Sequence, residues 1–172
     1  IDLMDAGRIR FASGTSLTVT KDVMDRLYKD LSGYRSKILL RPQEISNSPE
    51  LVRRLGIISI NTALELDIFG NVNSTHVLGK NMMNGIGGSG DFLRNGFLKM
   101  MHCPSVRPTK TDPTGITCVV PKAPHIDHTE HDLDVVVTDQ GLADLRGLSP
   151  KERAQTIIDK CVHPEYKDIM QE

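Results

Sequence analysis

The sequence has no tryptophan, three tyrosines and four phenylalanines in 172 residues. So few rings leave no stacking platform for nucleic-acid bases. Neither sign of charge dominates: 21 Lys+Arg face 22 Asp+Glu, a formal net charge of -1. No global field therefore draws the chain to a polyanion or an anionic membrane. No apolar run approaches the roughly 18–20 residues that span a bilayer. The opening segment Ile1–Gly7 is acidic and lacks the basic flank of a signal or transit peptide. It reads as the last turns of a helix stopped by Gly7, so the chain is expected to be a fragment of a longer protein. The three cysteines, Cys103, Cys118 and Cys161, are odd in number and widely spaced, with no C-x-x-C pair. That excludes a disulfide framework and a cysteine zinc site, fits a reducing compartment, and leaves each thiol as a small buried hydrophobe.

What is present is an ordinary globular composition, 38% hydrophobic and 25% charged, with no repeat and no low-complexity segment. Short apolar runs alternate with short helical patterns, the sign of an α/β layer structure. Strands are expected at Arg8–Ala12, Ser36–Leu40, Gly96–Met101, Ile116–Val120 and Asp134–Thr138. Ile57–Asn61 reads as a buried strand, Ala63–Phe69 as a half-exposed one, and Gly70-Asn71 as a hairpin-type turn leading to Ser74–Leu78. Helices are expected over Lys21–Leu31, capped by Thr20, from Ser48-Pro49 to Gly56, and over Asp91–Asn95. A further helix is expected behind the capping box Ser149-Pro150-Lys151-Glu152, with Ala154, Ile157, Ile158 and Cys161 on its apolar face. Pro104–Gly115 is expected to be an exposed polar loop.

Four segments can carry chemistry. Gly85-Ile86-Gly87-Gly88-Ser89-Gly90 matches G-x-G-x-x-G, but no clean strand precedes it. The position about 20 residues on falls in the Pro/Thr loop around Asp112 rather than on an acid-bearing strand, so dinucleotide binding is the lesser reading. A glycine run opening a helix brings backbone N–H groups close to a phosphate, carboxylate or oxyanion; a plain tight turn is the alternative. Pro124–Asp132 holds three histidines and three acids, in a spacing that fits no standard zinc motif. It is a metal loop, a polar loop beside a ligand, or a solvated loop. Asn47, in Gln43–Pro49, can donate its amide to a ligand carbonyl, make an Asx-turn or help cap the helix. Asp139, just past a strand, is a site carboxylate or the cap of a helix starting near Leu142.

Together these segments resemble the acetyl-CoA hydrolase/CoA-transferase family. The matching stretches are Ser46–Pro49, Arg53–Gly56, Asp67–Thr75, Met83–Phe92, His125–His128 and Gln140–Leu148, in order along nearly the whole chain. The stretch Arg107–Gly115 and Asp139 look most like fungal mitochondrial members. The resemblance implies an open, mostly parallel sheet flanked by helices, the class I CoA-transferase type, with residues 1–172 forming the C-terminal domain of a two-domain enzyme. It implies that CoA moves between acetyl-CoA and a small carboxylic acid such as acetate or succinate, or that water intervenes, through a glutamyl-CoA thioester. The nucleophilic glutamate belongs to a Tyr-Thr-Glu segment ahead of Ile1; Glu44, Glu65 and Glu130 do not match it.

By the same resemblance Asn47 and the Gly88 N–H polarise the thioester carbonyl, and Asp139 lines the acid pocket. Gly87, Ser89, Gly90, His125 and His128 contact substrate or CoA. No metal and no cofactor beyond CoA as substrate are implied. Partners are acyl-CoA, small carboxylates and the N-terminal half, in a homodimer, with no nucleic acid and no membrane. The location is mitochondrial in a eukaryote and otherwise cytoplasmic. Competing readings are a non-catalytic CoA-binding or interaction module and a nucleotide-dependent oxidoreductase.

Overall fold

The computed structural model describes residues 1–110 and 115–171, and the chain divides into two compact units, residues 1–51 and 52–172. In the first, α1 (Asp2–Asp5) precedes β1 (Ala12–Gly14), α2 (Lys21–Lys29), α3 (Leu31–Arg35), β2 (Ile38–Leu40) and α4 (Gln43–Ser46). Strands β1 and β2 pair in parallel. Met4, Leu27 and Tyr34 form a small core with Val19, Met24 and Ile38 around it. The Tyr34 hydroxyl donates to Asp5 at 2.5 Å, and Arg26 ties Asp2 and Asp5 to α2. The expected long helix ends at Lys29 because Asp30 breaks away, accepting a bond from the Gly33 N–H to cap α3 instead.

Helix α5 (Pro49–Arg54), stopped at Gly56 with φ +61°, leads into the second unit. There the elements are β3 (Ile58–Thr62), β4 (Glu65–Asp67), β5 (Val72–Asn73), β6 (His76–Val77), β7 (Asn81–Met82), α6 (Ser89–Asn95) and β8 (Leu98–His102). They continue with β9 (Val106–Arg107), β10 (Ile116–Thr117), β11 (Val119–Val120), β12 (Val135–Val137), β13 (Leu142–Asp144), α7 (Pro150–Cys161) and α8 (Lys167–Gln171). The main sheet runs β13-β12-β8-β3. Its first three chain-order strands, β3, β8 and β12, are parallel, and β13 is antiparallel at one edge. A smaller sheet, β11-β4-β5, lies apart from it. Leu66, Val72 and Val119 of that sheet share one core with Leu93 of α6, Met101, Val136 and Ala143 of the main sheet, and Ile157, Ile158 and Cys161 of α7. Burying such side chains stabilises the unit by about 1.5–3 kcal/mol each. The capping box at Ser149 and Glu152 is fully formed.

Several local expectations are corrected by tertiary context. Ile58 and Ile60 are 58% and 66% exposed, because β3 is an edge strand and turns Ser59, not its isoleucines, to the covered face. Asp67 is buried rather than half-exposed, since its carboxylate accepts the N–H groups of Phe69 and Asn71. The run Ser74–Leu78 is broken at Ser74-Thr75, and the chain after Leu142 is strand, not helix. The expected loop Pro104–Gly115 contains β9, paired with β10; its stretch Thr111–Thr114 lies outside the described residues. All three cysteines are free and buried. Burial pushes the Cys103 thiol up to about 12 and the Cys161 thiol up to about 11.

Candidate functional site

In a β-α-β unit the helix runs back against its strands, so its N-terminus opens at their carboxyl edge, where α/β sheets place ligands. Helix α6 lies between β3 and β8 in the chain and packs on both. The glycine loop Gly85–Gly88 therefore sits at that edge, together with Thr62, His102 and the segment after β12. The loop residues Gly85, Ile86 and Gly87 are exposed and Gly88 is half-buried. Gly87 has φ +58°, a left-handed conformation that a side chain would strain. Gly88 is the N-cap of α6 and its carbonyl accepts from Phe92 N–H. Among the described residues, no acceptor pairs with the N–H of Gly87 or Gly88.

Below the loop lies a polar scaffold built by Asp67–Thr75. Asn71 donates to Asp67 and accepts the Glu130 N–H through its side chain. Asn73 accepts the N–H groups of Thr75 and His76 and donates to Glu65. Val72 exchanges backbone bonds with His128 at 2.8 and 3.2 Å. The Ser74 N–H donates to Asp127 at 2.8 Å, and the Thr75 hydroxyl donates to it at 2.8 Å. The sequence turns so many polar groups inward here because they hold loops, not because they face solvent.

Of the histidines, His125 is part-exposed and 3.2 Å from Asp127, its ring tilted 37° to that of His76 with centroids 3.8 Å apart. His128 is fully buried, with Nε2 2.9 Å from the Ser89 hydroxyl. Burial lowers its pKa, so the ring is neutral. Gly90 packs on the same ring: a Cβ there would stand 3.7 Å from its Cε1, ordinary contact. Asp139 is exposed beyond β12 but occupied. It accepts the Ser105 N–H at 2.5 Å, the Ser105 hydroxyl at 2.9 Å and the Gln140 amide at 2.8 Å. The Ser105 N–H above all holds its carboxyl below the usual range. Asn47, in the first unit, is the C-cap of α4 and its N–H donates to Gln43 at 2.8 Å.

The structure thus brings Gly87, Gly88, Ser89, Gly90 and His128 together, and puts His125 on the same scaffold through Asp127. Sequence reasoning missed His76, Asn84 and Ser105. Their partners at His125, Ser74 and Asp139 lie elsewhere in the chain, so no local signal marks them.

His76, His125 and Asp127 each offer an atom within 4.8 Å of the others. The Asp127 oxygens, however, already accept from Ser74, Thr75 and His125, so the trio reads as a hydrogen-bonded network. Protein purified without a His tag is expected to carry substoichiometric zinc, iron and manganese by elemental analysis. One tightly held ion per chain, removable only by chelator, would reverse that reading.

Burial works to raise the Asp127 carboxyl, but its bonds from Ser74, Thr75 and His125 outweigh burial and hold it below 3.8. A depressed carboxylate contributes stability above the unfolded value, and loses it as pH falls through the folded one. Asp127→Asn is expected to cost about 1.5–3 kcal/mol at pH 7. The gap to wild type should narrow below pH 3.8. Thermal melts from pH 7 to 3 check this, and a gap constant with pH would refute it.

The family model described as the acetyl-CoA hydrolase/transferase C-terminal domain matches residues 24–172. The chain belongs to the acetyl-CoA hydrolase/transferase family. It is 58% identical over all of its 172 residues to an acetyl-CoA hydrolase of Schizosaccharomyces pombe, and spans 33% of that protein. It is 56% identical over its full length to the Candida albicans acetyl-CoA hydrolase, again 33% of the relative. The Saccharomyces cerevisiae acetyl-CoA hydrolase is 54% identical over 170 residues, 99% of this chain and 32% of that one. The chain therefore spans about a third of the length of these relatives. Among solved structures, RipA from Yersinia pestis matches with a TM-score of 0.80 at 25% identity, covering 99% of this chain and 40% of that one. A 4-hydroxybutyrate CoA-transferase from Porphyromonas gingivalis gives a TM-score of 0.70 at 21% identity, over 99% and 41% of the two chains, which shows the shared fold. The expected family and α/β class of this hydrolase/transferase domain are both borne out. The oxidoreductase reading finds no support in either.

Proposed function

We propose that this domain serves an enzyme that moves CoA between acetyl-CoA and a small carboxylic acid, or hydrolyses it, through a glutamyl-CoA thioester. The observation that carries the reading is the glycine loop: a member of this family holds two N–H groups, of Gly87 and Gly88, unpaired among the described residues, at the carboxyl edge of its parallel strands. A carboxylate is a weak nucleophile, so a thioester carbonyl must be polarised by donors already in place. In this reading the Gly88 N–H is such a donor, and the Asn47 amide is nominated for the same task by the resemblance.

The glutamate carboxylate attacks the thioester, releasing CoA thiolate and forming an acyl-glutamyl anhydride. The thiolate attacks the glutamyl carbonyl, expelling the carboxylate of the acyl group and leaving the glutamyl-CoA thioester. A second carboxylate then repeats the exchange in reverse and leaves with CoA; with water as acceptor the outcome is hydrolysis. Asp139 lines the acid pocket in this reading, with Ser105 and Gln140 fixing its carboxylate. His125 and the faces of Gly87 and Gly90 border the CoA. CoA is substrate, and the reading calls for no resident cofactor.

The test uses a chain of the relatives' full length that carries these 172 residues. Incubated with acetyl-CoA and reduced with borohydride, it should yield one glutamate converted to an alcohol, found by peptide mapping. Turnover without any trapped glutamate would overturn the covalent route, and absence of turnover would overturn the function.

A further inference from the structure

The glycine loop is held at both ends by side-chain hydrogen bonds. At its start, the Asn84 amide donates to Ser74 O at 2.9 Å and to Gly85 O at 3.0 Å. At its end, the Ser89 hydroxyl lies 2.8 Å from Ile86 O and 2.9 Å from His128 Nε2. Ile86 O can only accept, so the single hydroxyl proton goes to it, and the hydroxyl oxygen accepts from the imidazole. His128 must then carry its proton on Nε2.

The other ring nitrogen agrees with this assignment. Nδ1 is buried and has no hydrogen-bond partner. A bare lone pair there is a tolerable orphan acceptor. The opposite tautomer would bury an unpaired N–H and also take the hydroxyl proton from Ile86 O, which is the costlier arrangement. Protonation would bury a charged N–H at the same place. Burial accordingly keeps the ring neutral, with Arg94 acting the same way and Asp127 and Asp132 opposing. The histidine itself cannot drift, because its backbone N–H and C=O are bonded to Val72 of β5.

We propose that His128 and Ser89 are positioning residues for the Gly88 N–H: the buried imidazole donates to Ser89, and Ser89 closes the Ile86–Ser89 turn from which Gly87 and Gly88 project. Two successive glycines would otherwise sample many backbone conformations, and the donor would have to be ordered during the reaction instead of before it. The full burial of His128 means that its part in handling substrate is indirect, through Ser89. This rests on the reading of Gly88 as a carbonyl donor given above.

Two measurements test it. In the full-length enzyme, Ser89→Ala and His128→Leu should lower kcat for acetyl-CoA about 10–100-fold with KM within about threefold, the pattern of an interaction lost only in the transition state. His128→Gln, which keeps an N–H donor, should retain kcat within about fivefold of wild type. Where His128→Leu does not fold, Ser89→Ala against His128→Gln decides. In the 172-residue chain, ¹⁵N NMR should show the His128 proton on Nε2. Backbone order parameters of Gly87 and Gly88 should fall from about 0.85 to below about 0.6 in Ser89→Ala. An active enzyme whose folded Ser89→Ala variant keeps kcat overturns the positioning role and leaves the function standing. A wild-type enzyme without turnover overturns the function, and the order parameters then decide the clamp alone: unchanged values refute it.

Discussion

Purified alone, the 172-residue chain is expected to transfer no CoA from succinyl-CoA to acetate and to hydrolyse acetyl-CoA at a rate far below that of the full-length enzyme. The proposed route needs a glutamate that becomes covalently acylated. The family pattern places that glutamate in a segment these residues do not contain, and no glutamate here matches it. A donor loop without a nucleophile can polarise a carbonyl, but it has nothing to deliver to it. Residual catalysis from donors and binding alone reaches about 10³–10⁴ over water in well-studied hydrolases. Against a thioester that is still far below enzymatic turnover. The assay follows CoA release and acyl transfer with the purified chain beside the full-length enzyme. Turnover approaching that of the longer protein would overturn the covalent mechanism.

The second large effect is expected at Asn47. In the full-length enzyme, Asn47→Ala should lower kcat by about 10²–10³, or roughly 3–4 kcal/mol, with a smaller change in KM. The proposed amide bond strengthens as negative charge grows on the carbonyl oxygen, so its loss falls on the transition state. Asn47 is also the C-cap of α4, and folding must be separated from chemistry. A helix-end defect costs about 1 kcal/mol of stability and leaves turnover of the folded fraction unchanged. Steady-state kinetics on a variant melting near wild type decide the matter. Turnover within about threefold of wild type would return Asn47 to a structural role.

The sequence is most legible where local chemistry and tertiary packing agree. The Ser149 box announces α7, and the spacing of Ala154, Ile157, Ile158 and Cys161 marks its inner face. Pro49 and Gly56 bracket α5 in the same way. Legibility fails where a side chain's role is set from far away in the chain. Nothing local tells that Ser59 faces the covered side of β3, or that the buried Asp67 carboxylate accepts the Ala123 N–H from 56 residues away. The candidate site divides along the same line. Its glycines can be named because their conformational freedom is intrinsic. His76 and Asn84 cannot, because His76 meets His125, and Asn84 meets Ser74, only across folded loops. Asp139 is visible as a carboxylate past a strand. Ser105, which fixes it, sits 34 residues away.

The three buried thiols have a chemical consequence for a protein of this family. Forming a mixed disulfide requires a thiolate, and with the Cys103 thiol raised to about 12, only about one molecule in 10⁴ is ionised there at pH 8. Cys161, at about 11, reaches about one in 10³. Cys118 is raised by burial as well. In the proposed reaction CoA thiolate is freed in each cycle, and the disulfide that CoA forms when an oxidant such as peroxide acts on it is attacked by any accessible protein thiolate. Sulfurs that stay protonated and buried make no such attack, so in the proposed reaction the domain escapes S-thiolation by CoA disulfide.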